Sequence, residues 1–160
     1  LTFGDAMSSS EPAWSPDGLK IAFARNDPNV SQIWTMNADG SSSTPVTAGV
    51  FDGYPAWSRD GTRIVFSSRR NSNAEICSVT ATGQDDQQLT FNASADNHPS
   101  CGPGGKIVFI SGRSGPNVVC ICVLQLSQPR CHSLRGGRNF IRSRCRWSGC
   151  FRGRGMFHFR

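Results

Sequence analysis

The side chains of this 160-residue chain that could act as nucleophile, base or metal ligand include three histidines, His98, His132 and His158, seven cysteines and eleven carboxylates. Nucleophilic hydrolysis needs an activated Ser or Cys, a base and an orienting acid. The nearest approach is Gly112-Arg113-Ser114-Gly115-Pro116, in which proline stands where a nucleophile elbow needs its second glycine and no helical pattern follows. The histidines are scattered, without a His-Glu-x-x-His pair or a phosphate-cradling glycine loop. Asp85-Asp86 is a paired carboxylate set in a polar turn, Gly83 to Gln88, and reads as solvated. Cys120-x-Cys122, Cys131-His132 and Cys145-x4-Cys150 offer ligands, but at spacings unlike paired zinc knuckles. Seven thiols also cannot all pair within one chain. Asn29-Val30-Ser31 and Asn92-Ala93-Ser94 match the glycosylation pattern, a common chance match, and are assigned no role. The expectation is a protein without catalytic, cofactor or metal residues, and not an enzyme.

Charge divides the chain. Residues 1–114 hold all 11 acids against 8 Lys plus Arg, whereas residues 115–160 hold 9 Arg, five Cys, no Lys and no acid. Three readings of this tail stay open. A shifted reading frame in GC-rich coding DNA would produce such Arg, Gly, Cys and Ser codons. Arg135-Gly136-Gly137-Arg138 and Phe151-Arg152-Gly153-Arg154-Gly155 resemble disordered arginine-glycine segments that bind RNA through phosphate contacts and stacking. Leu134 and Trp147 fall where a degenerate fourth repeat would place them. No apolar run reaches the roughly 20 residues of a membrane helix. The chain opens on Leu1, so an upstream segment is expected, and with it any signal peptide.

Stepping from these residues to the scaffold that must carry them, a repeat dominates. Pro12-Ala13-Trp14-Ser15-Pro16-Asp17-Gly18 recurs 43 residues later as Pro55-Ala56-Trp57-Ser58-Arg59-Asp60-Gly61. A looser copy, Pro99-Ser100-Cys101-Gly102-Pro103-Gly104-Gly105, follows after a further 44. Each continues into a β-branched and aromatic stretch, Lys20 to Arg25, Arg63 to Arg69 and Lys106 to Arg113. Within these, Ile21 and Phe23, Ile64 and Phe66, and Ile107 and Phe109 sit two apart and project to one face of a strand. Asp-Gly turns and the marks Leu1-Thr2, Val46-Thr47 and Leu89-Thr90 close successive units. A unit of this length holds four short strands, the content of one propeller blade. The predicted class is all-β: three four-stranded repeats of an incomplete β-propeller ring at 1–45, 46–88 and 89–124. An irregular basic tail follows at 125–160.

The motif Pro-Ala-Trp-Ser-Pro-Asp-Gly, followed by Lys20-Ile21-Ala22-Phe23 and Asn37-Ala38-Asp39-Gly40, resembles the TolB-like propeller repeat. The third copy departs from it, with Cys101 for Trp and Gly104 for Asp. The resemblance implies a non-catalytic scaffold in the bacterial periplasm or cell envelope that docks a partner protein or peptide. Similar repeats also gate prolyl-oligopeptidase-like serine peptidases, the alternative class. A propeller with an RNA-binding tail is a third; nucleic acid enters only through that tail. Repetition places Trp14 and Trp57 in the core between blades. Asp17 and Asp60 are expected to bond within their own turns and not to hold calcium. Arg25, Arg69 and Arg113 end comparable strands; solvated strand ends are the expected reading, with a basic ring at one rim the alternative. The loops Asn26 to Ser31 and Phe51 to Tyr54 are candidates for a binding surface.

Overall fold

The computed structural model describes residues 8–49, 51–112 and 120–125. They form three antiparallel sheets and no α-helix. The first sheet contains β1 (Ser8–Trp14), β2 (Lys20–Asp27), β3 (Val30–Asn37) and β4 (Thr44–Pro45), side by side in chain order. The second repeats the order with β5 (Asp52–Trp57), β6 (Arg63–Asn71), β7 (Asn73–Thr80) and β8 (Gln87–Gln88). Among the described residues the third has β9 (Asp96–Cys101), β10 (Lys106–Ser111) and β11 (Cys120–Gln125). The pairings Trp14 with Ile21, Trp57 with Ile64 and Cys101 with Ile107 show one register used three times. These are propeller blades.

Local chemistry explains why the repeat folds this way. In the turn after β1, Ser15 donates its hydroxyl to Asp17 at 2.6 Å, Asp17 accepts the Leu19 N–H at 3.0 Å, and Ser15 Oγ accepts the Lys20 N–H at 2.9 Å. Ser58, Asp60, Thr62 and Arg63 rebuild the same network one blade on. These bonds hold both exposed carboxylates below the usual range, first through the serine hydroxyl. The two aspartates serve their turns. The third turn lacks both side chains and uses a shorter path, a 3-10 turn at Pro103–Gly105 with Gly104 at φ 66, a conformation glycine adopts without strain.

The Val-Thr and Leu-Thr marks also have a mechanical role. Thr47 Oγ1 accepts the Ile33 N–H at 3.0 Å and Thr90 Oγ1 accepts the Ile76 N–H at 2.8 Å, so a hydroxyl replaces the missing ladder partner where the short fourth strand departs.

Packing between blades follows from strand alternation. Ile64, Phe66, Cys77 and Val79 pack as one cluster with Ala22, Ala24 and Ile33 of the first blade. Val65 and Ile76, on the other face, meet Ile107 and Phe109 of the third. In the first junction a bulky face covers a small one, the volume matching that dense interiors require. Trp57 lies in this junction, 8% exposed, and donates its indole N–H to the Ala13 carbonyl at 3.1 Å. Cys101 takes the equivalent place, its thiol directed at the Ala56 carbonyl 4.0 Å away. Burial pushes the thiols of Cys77 and Cys101 up to about 12 and about 11, so both stay protonated.

Trp14 corrects the sequence reading. It is 60% exposed and not core, because it stands on the face of the first blade that no other described blade covers. The motif position is an inter-blade position only where a preceding blade supplies the carbonyl.

Candidate functional site

Each innermost strand, β1, β5 and β9, carries a bulge that breaks its register with the next strand. At each bulge a non-glycine residue takes left-handed backbone geometry: Glu11 at φ 57, Tyr54 at φ 54 and His98 at φ 53. Such geometry costs roughly 1–2 kcal/mol per residue. Its recurrence in three blades makes it part of the repeat, and a bulge re-aims one side chain. The result is a row. Glu11 accepts the Tyr54 backbone N–H on its carboxylate, across the first junction. The rings of Tyr54 and His98 lie 3.9 Å apart at 35° across the second, and His98 donates its backbone N–H to Ser67 Oγ at 3.2 Å. Gly53 leaves room for this, since a Cβ there would stand 3.0 Å from Glu11 Oε2.

The two segments expected as loops are largely strand, Asn26 and Asp27 ending β2, Val30 and Ser31 opening β3 and Asp52 to Tyr54 opening β5, and they meet beside the row. Ser31 and Phe51 form a parallel bridge, and the Ser31 hydroxyl lies 2.7 Å from both Asn26 Oδ1 and the Asp52 carbonyl. Asn26 Nδ2 donates to Ser10 Oγ at 3.0 Å. Together they border a cavity of about 240 Å³ reached by Ser10 and Asn26 of the first blade, Tyr54 and Arg69 of the second and Asn97 of the third. Phe51 and Tyr54 are exposed at its edge. Under it, Asp52 is fully buried. Burial pushes its carboxyl above the usual range, and the Ser68 and Thr47 hydroxyls and the Arg70 charge offset this only in part.

Arg25 and Arg69, the two described arginines of the alternative ring, do not line up. Arg25 pairs with Ser9, and the matching pair one blade on is Asp52 with Ser68, so Ser68 and not Arg69 occupies Arg25's place. A one-residue offset puts the two arginines on opposite faces. Arg25 lies over the Trp34 ring at 4.6 Å, whereas Arg69 is exposed at the cavity. Arg113 lies outside the described residues, as do Cys131, His132, Cys145, Cys150, Leu134, Trp147 and the arginine-glycine segments. Cys120 and Cys122 fall on β11. Among the described residues no three His, Cys, Asp or Glu side chains group as metal ligands, and no helix is long and apolar enough to cross a membrane.

Sequence reasoning missed a buried polar network. Glu75 accepts hydrogen bonds from the Thr90 hydroxyl, the Asn92 N–H at 2.9 Å and Asn73 Nδ2 at 3.2 Å. Asn92 Nδ2 in turn donates to Asp96 Oδ2 at 2.8 Å, tying the second blade to the start of the third. Asn92 drew notice only as a glycosylation pattern, yet its amide is committed inside the fold. The one available signal was Glu75 within a strand of apolar residues.

A family model described as the TolB beta propeller domain matches residues 5–139. Among solved structures, the putative TolB from Agrobacterium tumefaciens is 26% identical with a TM-score of 0.68, covering 78% of this chain and 47% of its own. TolB from Acinetobacter baumannii is 22% identical at 0.62, covering 72% and 29%. A puromycin-hydrolyzing peptidase from Mycobacterium tuberculosis is 17% identical at 0.60, covering 77% and 21%. No curated protein sequence matches significantly. The chain thus spans about half the length of the first structure and under a third of the second. With a match over most of its length and the same blade built three times, the chain belongs to the TolB beta propeller domain family.

Proposed function

We propose that the chain is a non-catalytic propeller scaffold of the bacterial periplasm or cell envelope that binds an extended segment of a partner protein along the row Glu11, Tyr54 and His98. The observation behind this reading is the bulge repeated in all three inner strands, which turns one polar or aromatic side chain per blade to a common surface. The envelope location rests on the family resemblance. Phage-displayed random peptides selected on the 160-residue chain test the reading. Enriched peptides are expected to bind the wild type and to bind a Tyr54→Ala, His98→Ala variant at least tenfold more weakly. Equal binding by both would contradict it.

The likeness to the puromycin-hydrolyzing peptidase favours a second reading, a propeller that gates a hydrolase domain. On that reading the surface passes substrates without retaining them, and the selection returns no enriched peptide.

A further inference from the structure

The hydrogen bonds already made around the cavity leave specific donors free for a ligand. Ser10 Oγ accepts from Asn26 and Ser67 Oγ accepts from the His98 N–H, so each hydroxyl keeps a proton to donate. Arg69 uses its backbone N–H on the Phe51 carbonyl at 3.0 Å. Its guanidinium makes no hydrogen bond or ion pair with the described residues, whereas neighbouring Arg70 is engaged by Asp86 at 2.9 Å and Arg63 by Asp85 at 2.9 Å. The Asn97 amide likewise reaches the cavity uncommitted. The carboxylate at the edge, Glu11, is directed to the Tyr54 N–H. Arg69 is thus the unengaged cation of this surface; the second carboxylate that borders it, Asp52, is buried, and exposed Phe51 and Tyr54 supply an apolar wall beside the donors.

We infer that this cavity holds a carboxylate of the bound segment, with Arg69 as its principal partner and Ser10, Ser67 and Asn97 as further donors. A guanidinium presents a planar fork that matches a carboxylate in two parallel bonds. An apolar or aromatic residue next to the carboxylate then lies against Phe51 and Tyr54. The inference rests on the scaffold reading and adds the class of ligand: a peptide whose anionic group is an acidic side chain or its own C-terminus.

The test uses the full chain and three synthetic probes, followed by nuclear magnetic resonance titration. The probes are acetyl-Ala-Phe-Asp-Ala-amide, its Asn counterpart, and acetyl-Ala-Ala-Ala-Phe with a free C-terminal carboxylate. One anionic probe is expected to bind saturably at about millimolar Kd, as suits so small a ligand. The Asn probe should bind about tenfold more weakly. Arg69→Ala should lose the same factor toward the anionic probe and none toward the Asn probe, with Arg69→Lys in between. The Arg69 side chain is solvent-facing and its backbone bond survives substitution, so the variant should keep the wild-type spectrum. The Asp probe binding best assigns the cavity to acidic side chains; the free acid binding best assigns it to C-termini. Equal binding of acidic and neutral probes, unchanged affinity in Arg69→Ala, or no binding of any probe would overturn the inference. Peptide selection that depends on Tyr54 and His98 would still leave the scaffold reading standing.

Discussion

Trp57→Ala is expected to lower folding stability by about 3–5 kcal/mol, while Trp14→Ala, the same motif position one blade earlier, changes it by less than about 0.5 kcal/mol. The asymmetry follows from the neighbours. Trp57 fills the first inter-blade junction and satisfies the Ala13 carbonyl, so its removal leaves a cavity and an unpaired acceptor. Trp14 is 60% exposed and loses little. Urea denaturation of both variants, monitored by circular dichroism, measures the difference directly. Similar losses for the two would mean that the open face of the first blade is covered in solution.

Glu75→Ala is expected to cost about 3 kcal/mol, and Glu75→Gln about 1–2 kcal/mol. Truncation strands the buried Thr90 hydroxyl and the half-buried Asn92 N–H; a buried donor's lost partner costs about 1–3 kcal/mol. Glutamine retains the shape and one acceptor oxygen, but turns an amide toward groups that already donate. The same denaturation experiment separates the variants. A near-neutral Glu75→Ala would show that water, not the carboxylate, satisfies these donors.

Much of the scaffold was legible because a repeat states its rule several times. Alternation in Ile64-Val65-Phe66 set the two packing faces of the second blade, and the Ser-x-Asp-Gly turns carried their own hydrogen bonds in four or five residues. What escaped was long-range. Whether a Trp is core depends on a neighbouring blade, which the motif does not encode, so Trp14 and Trp57 read alike and differ by an entire interface. Arg25 and Arg69 looked equivalent because counting along strands is blind to a one-residue offset, which reverses the face. The bulges left only an indirect mark: Glu11, Tyr54 and His98 share no chemistry, yet each stands directly before the proline that opens the repeat motif, Pro12, Pro55 and Pro99. The segments Asn26 to Ser31 and Phe51 to Tyr54, read as loops, are mostly strand, and Asp52 among them is buried; their joining depends on the contacts of Ser31 with Phe51 and Asp52, which no local pattern encodes. Cys101 departs from the repeat in sequence yet keeps its place and its contact, an adaptation visible only once the blade is folded.

Photo-crosslinking from position 54 in producing cells tests the functional claim most directly. A benzoyl-phenylalanine replacing Tyr54 is expected to capture a protein or peptide in a discrete adduct. The same group at Leu19, exposed in the turn after β1 and away from the cavity, should not. Discrete adducts from position 54 that disappear on Arg69→Ala would place the partner's anionic segment in the cavity. Adducts of equal yield from both positions, or none from position 54, would contradict a binding surface at the inner strands.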